Sequence, residues 1–409
     1  MSAPTAQRSV LPPRPSYAAV LRVPHARRAF TAALTARLSY GTVSLALLLS
    51  VTRATGSYAV SGTVLSLFGA ASVLLMPVRA SLIDRHGPRR ALPPMATLYG
   101  ALLCLLAALT WRPGAPAALL ATAAALAGAF TPPMGPTMRA LWSELVHDRA
   151  LLQRAYSLDG VAEELLYVSG PALIGVLAGL APPACGLLLS ALLIVAGACA
   201  FVTSPVMPGP RPAQAPHKRS VRPSGIPGLL APVAVAGGVG LALSGLDLLV
   251  MAFTAQHAYD TALVPWILGA LSAGSAVGGL LNGALPWRMP ARTRLCCFAA
   301  ALGLVIATTA LAPDLWTLTA AMTLAGAFIA PALTTAYLLA DELAPTDART
   351  RAGAWVNAAV NAGSSTGALL TGLLIGAVPL GICFLLSGGV AVGTALVAGP
   401  RRRRYADRS

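Results

Sequence analysis

Apolar residues in this chain form runs of about twenty, separated by short polar stretches, without the one-sided periodicity of soluble helices. A run of that length crosses the hydrocarbon core of a bilayer as an α-helix. The pattern therefore predicts an all-α integral membrane protein with twelve transmembrane helices. We expect them at residues 29–51, 57–79, 91–111, 116–138, 150–180, 183–204, 227–254, 261–285, 293–312, 315–340, 350–377 and 379–399.

A polar, proline-rich stretch, MPGPRPAQAPHKRSVRPSG at 207–225, lies between the sixth and seventh predicted helices. Such composition is typical of a linker. The predicted organisation therefore has five parts. They are a cytoplasmic arm at 1–28, a six-helix bundle at 29–205, a cytoplasmic linker at 206–226, a second six-helix bundle at 227–399 and a basic cytoplasmic tail at 400–409.

The two predicted bundles share a weak internal repeat. The pentapeptide LAGAF occurs at 126–130 and again at 324–328, an offset of 198. The same offset aligns several polar or otherwise distinctive residues: Pro133 with Pro331, Glu144 with Glu342, Asp159 with Asn357, and Glu163 with Asn361. A six-helix unit repeated in parallel is a transporter architecture, whose substrate site lies between the halves near the bilayer midplane.

The charge distribution predicts the orientation in the membrane. The net charge is +16, from 29 basic and 13 acidic residues. Alternate loops on one side hold all the basic residues except Arg53 and Arg112, which lie on the other side, and Arg37, which lies inside a helix. Positive charge of this kind marks the cytoplasmic side, so both termini are expected there and the protein in the cell membrane. The lipid bilayer, rather than nucleic acid, is the expected partner of this charge.

A dense polar segment, ASLIDRHGPRRAL at 80–92, follows the second predicted helix. It resembles the loop motif between the second and third helices of the major facilitator superfamily. The motif positions that match are Asp84, Arg85, Gly87, Arg89 and Arg90. The family usually has glycine where Ala80 stands and often a basic residue where Pro88 stands.

The resemblance implies the major facilitator fold over the whole chain. It also implies that Asp84 engages the eleventh helix, here starting near Thr350, and latches the outward-facing state. Gly87 can supply a backbone turn that other residues resist, and a carboxylate is stabilised at a helix N-terminus. The alternative is a solvated loop whose arginines only fix the membrane orientation.

A second segment, GPALIG at 170–175, resembles the core of the motif associated with drug–proton antiporters. Gly170, Pro171 and Gly175 match it, whereas Ile174 stands where that motif has glycine. Gly-Pro pairs also produce kinks and close packing in membrane helices. The segment is therefore either an antiporter signature or a packing feature.

Charged residues inside predicted helices are the strongest candidates for the functional site. Asp159 and Glu163 are one turn apart on the fifth helix and share a face with Tyr156 and Tyr167. A carboxylate in the membrane needs a cavity or a partner, and Arg37 in the first helix is the expected partner. Such a pair is either the site of proton coupling or substrate binding, or a static ion pair between two helices.

Further polar residues complete the prediction. Asp247 is a second intramembrane acid, and Asn357 and Asn361 are amides at the positions where the first half has acids. We expect these three to line the substrate cavity. We also expect Arg139, Glu144 and Glu342, at cytoplasmic helix ends, to form a gating charge network.

The chain offers no set of residues for catalysis. Its six cysteines fall inside predicted helices without metal-ligand spacing, its five histidines lie in loops or at helix ends, and no phosphate-binding loop appears. The sequence therefore predicts a monomeric secondary transporter with no cofactor, metal or ATPase domain. We expect proton-coupled efflux of a small amphipathic molecule. The alternatives are a proton-coupled importer of a small metabolite, an intramembrane enzyme, and a receptor or scaffold.

Overall fold

The computed structural model describes residues 16–207, 225–260, 263–375 and 377–399. In these ranges the chain is α-helical, with short turns and two short 3₁₀ segments. The predicted tail at 400–409, and most of the predicted arm and linker, lie outside the described residues.

The first bundle follows a short helix, α1, at Tyr17–Arg22. Its helices are α2 (Ala26–Thr55), α3 (Tyr58–Leu74), α4 (Met76–His86), α5 (Pro88–Thr110), α6 (Ala117–Phe130), α7 (Met134–Leu145), α8 (Arg149–Leu180) and α9 (Ala184–Val202). The second bundle contains α10 (Leu230–Ser244), α11 (Leu246–Gln256), α12 (Val264–Ala284), α13 (Ala291–Thr308), α14 (Leu315–Leu343), α15 (Arg349–Leu374) and α16 (Leu380–Ala398).

Several neighbouring helices combine into single spans, which confirms the predicted twelve-helix fold. Among the described residues, ten spans are long and apolar enough to cross a membrane, and α3 with α4, bent by 42°, makes an eleventh. The twelfth is α15, whose 26 residues reach about 39 Å. The mean hydropathy of α15 is lower than that of the other spans because it carries arginines, amides and hydroxyls in place of apolar residues. Several of these polar residues lie on the face of α15 that is turned toward the other bundle.

The two bundles pack their helices in the same order. In the first, α2 packs on α8 and α9, α5 on α6 and α9, and α3 on α6. In the second, α10 packs on α15 and α16, α13 on α14 and α16, and α12 on α14. Helix α15 is thus the structural counterpart of α8, which agrees with the offset of 198 seen in the sequence.

Close backbone contact between α2 and α8 explains one glycine of the GPALIG segment. A Cβ atom on Gly170 would lie 2.4 Å from the carbonyl carbon of Gly41, so a larger residue would push the helices apart. A Cβ atom on Gly175 would meet nothing within 4 Å. Gly170 therefore has a packing role, whatever else the segment does.

The bundles touch each other mainly at one end, which we call the basic end because it carries Arg85, Arg89 and Arg90. There α8 contacts α12 and α14, and α15 contacts α4 and α7. The short helix α1 also bridges the bundles, because its Tyr17 hydroxyl donates a hydrogen bond to the Leu280 carbonyl of α12. The structure is therefore closed at the basic end.

Candidate functional site

Four charged side chains from three helices of the first bundle form a buried group, which we call the ion cluster: Arg37 of α2, Arg139 of α7, and Asp159 and Glu163 of α8. The Arg37 Nη1–Asp159 Oδ1 distance is 2.6 Å and the Arg37 Nη2–Glu163 Oε2 distance is 2.8 Å. Arg139 Nε lies 3.0 Å from Asp159 Oδ2, and Arg139 Nη2 also contacts Glu163 Oε2. Each carboxylate is thus held by both arginines.

The position of Arg139 corrects the sequence prediction, which placed it in a charge network at a cytoplasmic helix end. The fourth span does not end at residue 138, because it breaks at 131–133 and resumes as α7 from Met134 to Leu145. Arg139 therefore lies inside the span, six residues before its end, with only 4% of its surface exposed. The break turns the side chain inward, onto the carboxylates of α8.

The two carboxylates differ in their access to solvent. The Asp159 side chain is fully buried, whereas 21% of the Glu163 side chain is exposed. Two positive and two negative charges make the cluster neutral, which reduces the cost of placing ions away from water. Glu163 is the acid of the cluster that reaches an open space.

That space is a cavity of about 300 Å³ between the two bundles. It is lined from α7 and α8 by Arg139, Tyr156, Gly160, Glu163, Glu164 and Tyr167, and from α14 and α15 by Ala330, Leu333, Thr334, Tyr337, Asn357, Val360, Asn361 and Ser364. Arg37 and Asp159 stand behind this wall.

One contact across the cavity connects the ion cluster to the second bundle. The Arg139 guanidinium lies over the Tyr337 ring, with its central carbon 3.8 Å from the ring centroid. On the other side, Arg139 is fixed through its carbonyl, which accepts a hydrogen bond from the Tyr156 hydroxyl at 2.9 Å. A cation and the face of an aromatic ring attract each other. A shift of Arg139 therefore acts directly on Tyr337 of α14.

The predicted amides also line the cavity. Asn361 Nδ2 donates to the Asn357 carbonyl at 2.8 Å and to Asn357 Oδ1 at 2.7 Å. The two side chains occupy on α15 the places that Glu163 and Asp159 occupy on α8. The second bundle thus presents hydrogen-bonding groups where the first presents charge.

The polar segment at 80–92 is almost entirely helical. Only Gly87, with φ +79° and ψ 153°, separates α4 from α5, and this backbone conformation strongly favours glycine. Asp84 is buried, and its Oδ2 accepts a hydrogen bond from the backbone nitrogen of Arg351 at 2.9 Å. The first bundle thus caps the N-terminus of α15 in the second bundle.

Further bonds between the bundles surround this contact at the basic end. Arg149 Nη2 lies 2.6 Å from Glu342 Oε1, and Arg349 Nη1 donates to Ser143 Oγ at 3.0 Å. Glu342 therefore lies in a charge contact between the bundles. Glu144 lines a small crevice beside Asp84.

Other predicted site residues lie elsewhere. Asp247 is exposed near the start of α11 and does not line the cavity. Arg85, Arg89 and Arg90 are exposed at the basic end. In the described part of the chain, no three His, Cys, Asp or Glu side chains are grouped in a way that could hold a metal ion.

Sequence reasoning missed two buried polar contacts. Arg79, counted as a loop residue, is 4% exposed and donates to the carbonyls of Gly128, Ala129 and Ser72, at the breaks in the second and fourth spans. The Ser275 hydroxyl of α12 donates to Glu164 Oε1 of α8. The available signal for Arg79 was its position as the last residue of the predicted span 57–79, whereas the Glu164 contact depends on how the bundles meet.

Two six-helix bundles around a central cavity are the architecture of many secondary transporters. The sequence model of the Major Facilitator Superfamily matches residues 29–310 and 266–409. The chain therefore belongs to this superfamily and is a multi-pass membrane protein. Among curated protein sequences, none matches the chain significantly.

Solved structures support the same fold. The human organic anion transporter MFSD10 (TETRAN) has a TM-score of 0.71 at 15% identity, over 95% of this chain and 100% of that one. A bacterial homologue of the iron transporter ferroportin, in an outward-facing state, has 0.69 at 15%, over 91% and 97%. The E. coli fucose:proton symporter has 0.69 at 14%, over 93% and 99%. At these identities the similarity establishes the fold alone.

Proposed function

We propose that this protein is a secondary active transporter that exports a small amphipathic molecule in exchange for protons, by alternating access. The observation that carries the proposal is the ion cluster at the wall of the cavity. Its two arginines and two carboxylates belong to the first bundle and lie at the edge of the cavity between the bundles, and Glu163 is its one acid that is open to the cavity. Proton-coupled transport needs such an acid, within reach of both solvent and substrate.

The coupling step follows from the contacts of Glu163. While Arg37 and Arg139 hold it, the carboxylate stays ionised, because nearby positive charge favours the charged form. Rocking of the bundles would draw Tyr337 of the second bundle away from Arg139 of the first, free the Arg139 side chain to reorient, and so weaken the hold on Glu163, which would then take a proton. The competing interpretation is that the whole cluster is static and only joins α2, α7 and α8.

The gating step uses the basic end. We propose that this end faces the cytoplasm and that the closed contact there, with Asp84 capping α15, holds the outward-facing state. The drug–proton antiporter interpretation rests on the resemblance of Gly170, Pro171 and Gly175 to that motif. The packing of Gly170 on Gly41 explains the glycine at 170 without an antiporter role.

The orientation is tested with cysteine labelling in a cysteine-free background. A cysteine at position 215 should react with a membrane-impermeant reagent only after the cells are opened, and Arg112→Cys should react in intact cells. The reverse pattern would invert the proposed orientation, and with it the assignment of the outward-facing state.

The transport proposal is tested in proteoliposomes. Ligands are first found by their effect on thermal stability, and their movement is then measured with an imposed pH gradient and an internal pH dye. Export coupled to proton entry supports the proposal. Uptake in the same direction as the protons supports the importer, and transport that ignores the pH gradient contradicts both.

A further inference from the structure

Glu164 lines the cavity but stands apart from the ion cluster. Its Oε1 accepts a hydrogen bond from Ser275 of the second bundle, while its Oε2 is buried with no hydrogen-bond partner. No ion pair joins it to any arginine or lysine among the described residues, whereas Asp159 and Glu163 each have two. A buried carboxylate oxygen without a partner is costly, so this site is incomplete as it stands.

The charge of the cavity region follows from this difference. Asp159 and Glu163 balance Arg37 and Arg139, so Glu164, when it is ionised, leaves one negative charge in excess, and a bound cation would favour that ionised form. Because the cavity is partly enclosed, that charge is less screened than a surface charge. The unbalanced charge favours a ligand with a single positive charge.

The rest of the lining indicates what kind of cation fits. Three tyrosines face the cavity: Tyr156, Tyr167 and Tyr337. The ring of Tyr337 already carries the Arg139 guanidinium, and Tyr167 follows Glu164 by three residues, which places the two side chains next to each other on α8. An aromatic ring beside a carboxylate suits a positively charged nitrogen on an organic body.

The remaining wall mixes carbon and oxygen atoms: Ala330, Leu333 and Val360 are apolar, and the other lining residues of α14 and α15 carry hydroxyl or amide groups. Among the described residues, no three His, Cys, Asp or Glu side chains are grouped as a metal site, and the apolar part of the wall suits the organic body of a ligand better than a bare ion. A cavity of about 300 Å³ is at the small end of ligand pockets. We infer that the cavity selects a small, monovalent organic cation and that Glu164, bound to Ser275 in the structure, is the residue that recognises its charge.

This inference rests on the proposed transport function, and binding tests it separately from transport. Benzyltrimethylammonium serves as the cation, N,N-dimethylbenzamide as a neutral probe of similar size and benzenesulfonate as the anion. Isothermal titration calorimetry on the purified full chain should give the tightest binding for the cation. Equal or tighter binding of the anion, or no binding of the cation up to millimolar concentration, overturns the inference.

Three variants identify the residue. Glu164→Gln should weaken binding of the cation roughly tenfold, which corresponds to about 1.4 kcal/mol. Binding of the neutral probe should not change. Glu164→Asp keeps the charge and should retain most of the affinity. Ser275→Ala removes the hydrogen bond but not the charge and should bind the cation at least as well as the unaltered chain. Unchanged cation binding in Glu164→Gln rejects the role of this residue.

Failure of the proposed function would look different. If the cation binds through Glu164 but its movement in proteoliposomes does not respond to a pH gradient, the ligand class stands and proton coupling fails. If the protein exports only anionic or neutral compounds against such a gradient, coupling stands and the inference fails.

Discussion

Helices α8 and α15 occupy equivalent places in the two bundles, but α8 carries Asp159 and Glu163 where α15 carries Asn357 and Asn361. The same difference recurs at the basic end. Asp84 of α4 caps α15. The residue that the offset of 198 aligns with Asp84 is Asn282 of α12. The Asn282 backbone carbonyl accepts a hydrogen bond from the Gln153 side chain of α8. At three equivalent pairs, the first bundle has an acid and the second has an amide.

This difference in residue type gives the two bundles different chemical properties within one fold. An acid can change its charge and respond to an arginine or a helix terminus, whereas an amide offers hydrogen bonds that do not depend on pH. The first bundle therefore holds the groups that can switch, and the second supplies a polar wall of constant charge. If this division is correct, exchanging acid for amide should matter in the first bundle and changes to the matching amides should matter little.

The largest effect on stability is expected at the fully buried acid. Asp159→Asn leaves Arg37 and Arg139 with one carboxylate between them, and breaking a buried ion pair typically costs about 3–5 kcal/mol. Thermal unfolding in detergent should show a clear drop in Tm. The matched variant Asn357→Ala should cost only about 1 kcal/mol, and equal losses at the two positions would remove the distinction between the bundles.

The next effect concerns the turn between α4 and α5. Gly87→Ala forces a side chain into a backbone conformation with positive φ, at a cost of about 1–3 kcal/mol. The equivalent position in the second bundle is Leu285, with φ −76°, which any residue adopts. Leu285→Ala should therefore leave the Tm closer to that of the unaltered protein, and a Gly87→Ala variant just as stable would refute the strained turn.

A smaller effect, on conformation rather than stability, is expected at the Asp84 contact. Asp84→Asn keeps an oxygen for the Arg351 nitrogen but loses the charge at the α15 N-terminus, which contributes up to about 2 kcal/mol in partly buried sites. Distances between spin labels on the two bundles should show a more open basic end. Transport should be slower, and the variant should still be expressed. Asn282→Ala is the matched control, and unchanged distances in Asp84→Asn would show that the Asp84 cap does not hold the basic end closed.

The smallest effect is expected for the exposed pair at the basic end. The Arg149 side chain is 74% exposed and Glu342 37%, and such surface pairs contribute about 0–1 kcal/mol. Glu342→Gln should change the Tm and the label distances little, and less at high salt. A drop in Tm as large as that of Asp159→Asn would mean that this exposed pair contributes as much to stability as the buried ion cluster, which the account does not allow.

The sequence predicts the fold well because a membrane span requires an apolar run of fixed length. It also predicts the pairing of Arg37 with the acids of α8, since a charge inside a span needs a partner. It misplaces Arg139 because hydropathy does not reveal that the fourth span breaks and continues, and it counts Arg79 as a loop residue for the same reason. The contacts of Glu164 and Asn282 depend on how two distant bundles meet, which no local pattern encodes.

The division between the bundles is tested most directly at Glu163, the acid of the cluster that reaches the cavity. In proteoliposomes, exchange of labelled for unlabelled ligand without a gradient is compared with transport driven by a pH gradient, for Glu163→Gln and for the matched variant Asn361→Ala. The account predicts that Glu163→Gln exchanges ligand but no longer responds to the gradient, whereas Asn361→Ala still responds, with weaker binding. Gradient-driven transport by Glu163→Gln at the normal rate would contradict it.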